Sequence, residues 1–517
     1  MNKCHVLYGV TSICLVAATL AAEPFVELSK PVPVASDGRV LVKGTQSLPQ
    51  ATPESQGVDS AAVSKWVEAA HALDSVHSFV LVRHGKVIAQ GAWAPYDLDR
   101  PHQLYSHSKS FTSTAIGFLV DDGLLDLDEL VCEIFPEKFP SDADLKMKML
   151  RVRDLLTMNT GCTDIDYPRR RPEEPDWVKS FFATPVGVNP GTRYRYDSCA
   201  THMLAAIVEK KTGKKTMDFL DERLFRPLGF GTIYSHTSPT GVACGGWGMY
   251  ARTPDLAKFG QLYLQEGLWN GERILSRDWV RLATAKHTMS GFPPARSPIT
   301  DWTSGYGFQF WRCRHGAYRA DGAGGQYTVV IPEKDMVVSA HAGLGDFPKE
   351  LDLIWDNLLP VLKDAPLAEN PSAQKKLADR LAKLAIKPVE FARARKWTTP
   401  FEFSLRENSR GFKSVRFDPK DGGGCICTLV TRAGEQKFPA GTGEWQKGSI
   451  RIDTENYEGL GAYIGEHKTM ASCGFVTGGF HLKAYLTGTT GYLEFIVKDG
   501  KLTGQFYAMG GCRLESK

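Results

Sequence analysis

Leu104-Tyr105-Ser106-His107-Ser108-Lys109-Ser110-Phe111-Thr112-Ser113 opens a helical stretch that runs from Phe111 to Val120 and ends near Gly123. Ser106 and Lys109 lie three apart, so on a helix they share a face and the ammonium reaches the serine oxygen. Among apolar neighbours such as Phe111 and Ala115, that lysine loses hydration and can serve as a base toward the serine. The head of a helix also presents unpaired N–H groups and the positive end of its dipole, which stabilise a developing oxyanion. One turn of chain thus holds a nucleophile, a base and half of an oxyanion hole. The S-x-x-K spacing recurs at Ser372-Ala373-Gln374-Lys375, where a polar connector makes it a solvated helix start.

On either side of this turn the pattern mixes helices with short strands. Ser78 to Arg83 and Val87 to Ala89, joined at His84-Gly85-Lys86, read as a hairpin, as do Gln326 to Ile331 and Met336 to Ala340. Helical stretches lie between, His202 to Lys211 ending at Gly213 and Thr253 to Gln265 ending at Gly267. Strands at both ends and helices between predict an α/β (α+β) unit over residues 49–364. Its antiparallel sheet is closed by both termini of the unit and flanked by helices with an all-α cluster. Residues 365–397 read as a helical connector, with Ser372 to Ala394 at helical spacing. From 398 to 517 short alternating segments and the turn Lys498-Asp499-Gly500-Lys501 predict an all-β domain, barrel-like or a sandwich.

The first 21 residues read as a secretory signal: Lys3, an apolar run from Val6 to Leu20, and small residues at the cleavage site. Residues 22–48 form an N-terminal extension. A secreted or periplasmic location follows as an expectation, without a transmembrane anchor, because the apolar run is shorter than the ~20 residues a span needs. Beyond the signal the cysteines are scattered; the late ones, Cys425, Cys427, Cys473 and Cys512, are those that could pair with one another. The 62 basic and 58 acidic residues give a net charge of +4 without a basic block, so nucleic acid is not an expected partner. There is no P-loop, dinucleotide fingerprint, H-E-x-x-H or G-x-S-x-G, and the histidines do not cluster at ligand spacing. No metal or cofactor is called for.

The stretch from Leu104 to Ser113, followed by Asp122-Gly123-Leu124-Leu125-Asp126-Leu127-Asp128, resembles the nucleophile helix of the serine β-lactamase-like hydrolases. These include penicillin-binding proteins, class C β-lactamases, family VIII carboxylesterases and aminohexanoate-oligomer hydrolases. Arg153 to Gly161, Pro190 to Ser198, and Gly245-Gly246-Trp247-Gly248-Met249 leading to Asp255 to Gly260 match in the same order, over about residues 50 to 362. The resemblance implies a β-lactamase/transpeptidase-like fold, with Ser106 as nucleophile, Lys109 as base, and Tyr196 moving a proton once Lys109 lowers its pKa. Ser198 stands where the family's second motif has Asn. Like the alternative register Gly322-Ala323-Gly324, the third motif's first register at Ala320-Asp321-Gly322 lacks the family's cation, which weakens the β-lactamase and peptidase alternatives. In that register Gly322 and Ala323 adjoin the site, and the Ala323 N–H joins that of Ser106 as the oxyanion hole. Trp247 is expected to line the pocket, while His107, Asp176, Trp177 and His202 read as structural. The C-terminal domain resembles lipocalin-like domains appended to some family members and is a candidate for cell-envelope contact. A small ester, then a small amide, is the expected substrate. A penicillin-binding-type peptidase or β-lactamase, and a non-catalytic scaffold on the same fold, are the alternatives.

Overall fold

The computed structural model describes residues 32–33, 47–165, 171, 173–290, 300–343, 345–346, 348–391, 397–432, 434–452, 465–507 and 511–517. The expected signal segment, and nearly all of the extension after it, lie outside these residues. Six antiparallel strands form the central sheet: β1 (Val76–Arg83), β2 (Lys86–Ala92), β3 (Trp311–Arg312), β4 (Tyr318–Gly322), β5 (Gln326–Ile331) and β6 (Met336–Ala342). Their order is β2-β1-β6-β5-β4-β3, so the first hairpin of the unit pairs with its last strand. The β1–β2 turn places His84 and Gly85 at φ +50 and +71, the two left-handed positions a tight hairpin requires. Both faces of the sheet are covered. Val80, Val82 and Val337 face one core, and Phe79, Leu81, Val338 and Ile331 face another beneath helix α1 (Ser60–Ala72). The strands therefore read as nearly continuous apolar runs.

Helix α2 (Ser108–Asp121) runs through the first core and is buried from Ser108 to Leu119. Its many hydroxyls tolerate this because each finds an acceptor or partner. Ser110 Oγ donates to Gln309 O at 2.8 Å, Ser113 Oγ to Phe308 O at 2.7 Å and Thr112 Oγ1 to Gly245 O at 3.0 Å, while Thr114 Oγ1 meets Tyr263 OH at 2.7 Å. Against it packs α3 (Ser198–Thr212), ended by Gly213 at φ +70, and α4 (Thr253–Leu264) lies on the sheet. The connector helix, α5, covers Pro371–Leu381, and of the expected remainder the described residues up to 391 are not helical while Ala394 lies outside the described residues. Pro388 lies inside the expected stretch and disfavours helix at the residue before it.

The C-terminal residues form two antiparallel sheets. One holds β7 (Phe401–Ser404), β8 (Ser414–Pro419), β9 (Cys425–Thr431) and β10 (Gly434–Ala440). The other holds β11 (Gln446–Ile452), β12 (Gly465–Val476), β13 (Gly479–Leu486), β14 (Tyr492–Lys498), β15 (Lys501–Tyr507) and β16 (Cys512–Glu515). The sheets share one core that includes Phe417, Cys427, Leu482, Phe495 and Phe506. No strand ladder joins them beyond the single bridges Leu405 to Ser516 and Gly441 to Ser472, and no closed barrel forms among the described residues, which corrects the barrel-like expectation. Just past β10, Gly441 links the two sheets: its N–H donates to Ala471 O at 3.2 Å and its carbonyl accepts Cys473 N–H at 2.7 Å, and a Cβ there would lie 2.7 Å from Glu444 O. Cys425 and Cys427 face the same side, and the Cys425 thiol lies 3.5 Å from that of Cys473. Among the described residues no helix is long and apolar enough to cross a membrane.

Six histidines, His77, His102, His107, His202, His236 and His341, are fully buried. Desolvation lowers all their pKa values: His102, His202 and His236 to about 4, His107 to about 3, and His77 and His341 well below the ordinary 6.5. Below pH 6.5 the unfolded chain binds protons that the folded chain does not. The stability these rings contribute is complete above about 6.5 and is lost as pH falls toward 4, at about 1.4 kcal/mol per histidine per pH unit. Thermal unfolding followed from pH 7.5 to 4.5 should show a steadily falling midpoint; a flat profile would contradict buried neutral histidines.

Candidate active site

The chain enters the site through a bend. Tyr105 has φ +47, a left-handed conformation that a residue with a Cβ adopts only when its surroundings hold it there. Ser106 follows in a 3-10 turn, Tyr105–His107, that runs directly into α2. The Ser108 hydroxyl donates to Tyr105 O at 2.7 Å and receives Met249 N–H at 3.2 Å, tying the bend to a neighbouring short strand, Met249–Ala251. Ser106 is largely buried, with 9% of its surface exposed.

Lys109, buried, points its Nζ at three oxygens: Ser106 Oγ at 3.0 Å, Ser198 Oγ at 2.9 Å and Gly246 O at 2.6 Å. Only the carbonyl must accept; both hydroxyls can donate or accept. The same geometry therefore serves an ammonium or a neutral amine that takes the Ser106 proton. Ser198 opens α3, where Asp197 accepts Cys199 N–H at 2.8 Å and fixes the helix start. Gly246 is required for the approach, because a Cβ there would lie 2.5 Å from Ser198 O. Tyr196 sets its ring centroid 4.7 Å from Lys109 Nζ, with its phenol near enough to Ser106 for the serine to draw its pKa down. Its other neighbours are Trp311, stacked at 5.7 Å, and Tyr306, edge-on at 6.2 Å.

Burial pushes the Tyr196 phenol above its ordinary value, outweighing the nearby Ser106 side chain that pulls it down. This corrects the expectation that Lys109 lowers it. The phenol stays protonated through the neutral range, which makes it a proton donor and not a resident phenolate.

Strand β4 ends beside this cluster. A Cβ on Gly322 would lie 2.0 Å from Leu104 O, so glycine lets the strand abut the bend. Ala323 begins the turn to β5, and Gln326 Nε2 donates to Ala323 O at 3.1 Å and to Ala342 O at 2.5 Å, holding that turn from inside. Strand β3 pairs only with Tyr318 and Arg319, which leaves the outer edge of β4 from Ala320 to Gly322 facing the site. In the expected register Ala320 stands at the place of the family's cation, and the next residue, Asp321, carries a carboxylate bound to Arg319 Nε at 2.7 Å. Arg319 is fully buried, donates to Asp301 O at 2.7 Å and lies 4.5 Å from the Trp302 ring. Burial pushes the Asp321 carboxyl up, and Arg319, with Lys109 farther off, pulls against it.

The structure thus brings Ser106, Lys109, Tyr196 and Ser198 together and sets Gly322 and Ala323 alongside. Trp247 is placed differently: it has no exposed surface and packs in a closed cluster with Trp177 and Cys244. The Gly246 carbonyl, not the neighbouring indole, faces the site. His107 bonds Thr328 at 2.9 Å, His202 bonds Ala243 O at 3.1 Å, and Asp176 caps the helix Trp177–Phe182, all structural roles. Sequence reasoning missed the Gly246 carbonyl, although the Gly245-Gly246 pair signals a close backbone approach. It also missed Gln309, whose side chain accepts from Thr201 and donates to Leu155 O and Leu156 O.

Among known proteins, the chain is 27% identical over 279 residues to the 6-aminohexanoate-dimer hydrolase of Paenarthrobacter ureafaciens, covering 50% of this chain and 71% of the relative. It is 28% identical over 168 residues to the lovastatin esterase of Penicillium rubens, covering 28% of this chain and 42% of that protein. A solved structure described as a putative 6-aminohexanoate-dimer hydrolase from Bacillus anthracis superposes with a TM-score of 0.50 at 17% identity, over 69% of this chain and 92% of that one, a likeness of fold. Residues 65–359, more than half of the chain, match the Beta-lactamase family model, and the chain accordingly belongs to the Beta-lactamase family as a serine hydrolase.

Proposed function

We propose that the protein hydrolyses a small carboxylic ester, and a small amide more slowly, through an acyl-enzyme on Ser106. The contact that carries this reading is Lys109 Nζ to Ser106 Oγ at 3.0 Å, in a site where Gly246 O and Ser198 hold the amine in line. Ser106 attacks the carbonyl carbon while its proton passes to Lys109. The oxyanion is received by the N–H groups of Ser106 and Ala323, a role that needs main chain only. As the C–O bond of the ester breaks, the Tyr196 phenol gives its proton to the leaving alkoxide, and the Lys109 ammonium restores that proton to Tyr196. Water then attacks the acyl-enzyme, passes a proton to Lys109, and Ser106 departs with one.

The raised pKa of Tyr196 supports the ester preference. A reluctant acid suffices for an alkoxide or phenolate, whereas an amine must be protonated as it leaves. The names of the two relatives, a dimer hydrolase and an esterase, are compatible with both bonds. The 1–21 segment supports export, with mature protein starting at Ala22, which N-terminal sequencing of the secreted product would check.

Paired p-nitrophenyl esters and p-nitroanilides of the same acyl groups test the reading. Esters are expected to turn over with kcat/KM about 100-fold higher or more, the size of a general-acid contribution. Cleavage of anilides alone would overturn the preference. Stable labelling of Ser106 by a fluorescent penicillin would favour the penicillin-binding-type alternative.

A further inference from the structure

We infer that the 487–491 turn of the C-terminal domain belongs to the acyl-transfer apparatus, with Thr490 a positioning residue for Ser106. This rests on the Ser106 reading above. The left-handed residue directly before the nucleophile, Tyr105, is fully buried and belongs to the core cluster of the C-terminal domain rather than to that of its own domain. Its phenol meets Thr490 Oγ1 at 2.6 Å, a contact between residues 385 positions apart. Gln103 N–H donates to Gly488 O at 2.8 Å, and Arg100 Nη1 to Thr487 Oγ1 at 3.1 Å, so the approach to the bend is tied down along its length.

The same turn reaches the other half of the site. Thr490 Cγ2 lies 3.2 Å from where a Cβ on Gly324 would stand, and Ala323 packs against the C-terminal core. Thr490 therefore sits between the bend that carries Ser106 and the turn that carries the Ala323 N–H. The 487–491 turn is itself fixed: Thr489 Oγ1 donates to Leu486 O at 2.8 Å and accepts Gly491 N–H at 3.0 Å. A rigid wedge joining the nucleophile's bend to an oxyanion donor sets the separation of the two groups that must meet one carbonyl. Displacements of about 1 Å at such a place cost up to about 100-fold in rate.

Thr490→Val, Thr490→Ser and Tyr105→Phe in the full chain test this, by ester kinetics, by the rate of fluorophosphonate labelling at Ser106 and by thermal unfolding. Thr490→Val and Tyr105→Phe are each expected to lower kcat and the labelling rate about 10-fold, with KM within about twofold. The double variant should be no slower than either single, and Thr490→Ser should recover most of the loss. A lowered melting midpoint with an unchanged labelling rate would make the contact structural only and overturn the inference, as would full activity in Thr490→Val. If the unaltered chain fails to label at Ser106, the hydrolase mechanism falls and this inference with it. A labelling parent with unaffected variants overturns this inference alone.

Discussion

Replacing Lys109 by methionine is expected to slow acylation of Ser106 by about 1,000-fold or more. Methionine matches the length of the buried stem, so the packing around α2 survives while the amine is removed. Three oxygens, on Ser106, Ser198 and Gly246, then lose their common donor, and nothing remains to take the nucleophile's proton. Lys109→Arg should be nearly as slow, since guanidinium keeps its proton at any working pH. The check is the rate of fluorophosphonate labelling for each variant beside its melting curve. Near-normal labelling in either would remove Lys109 from the role of base.

The second large effect is on stability. Asp321→Ala is expected to destabilise the hydrolase domain by about 3–5 kcal/mol, because it leaves a buried guanidinium without its carboxylate. Arg319 has no exposed surface and is hemmed by Trp302, Trp311 and Tyr327, so it cannot turn to water. Asp321→Asn should cost less, since an amide oxygen can still accept from Arg319 Nε. Denaturant midpoints of the three proteins would show the order. Equal midpoints would mean that Arg319 finds compensation elsewhere.

The residues that chemistry selects were legible because they carry side chains with a recognisable spacing. Ser106 and Lys109 stand on one turn, and Tyr196 and Ser198 sit at the start of α3, whose end at Gly213 was also readable. The sheet's closure by the first hairpin and the last strand followed from where the apolar runs fell. What escaped has no side-chain signature. The Gly246 carbonyl is a backbone group, and beside it the conspicuous Trp247 drew attention that the structure gives to its neighbour. The left-handed φ of Tyr105 leaves no mark in a residue type that seldom adopts it, and the Arg319–Asp321 pair depends on which side of β4 is buried. The arrangement of the two C-terminal sheets escaped for a related reason: alternation predicts strands, while how the sheet edges meet depends on isolated bridges such as Gly441 to Ser472.

The claim on which the rest depends is an activated Ser106. Intact mass after exposure to a fluorophosphonate, on the protein and on Ser106→Ala side by side, tests it most directly. One adduct on the former and none on the latter is the predicted result. No adduct on either, or one on both, would contradict it.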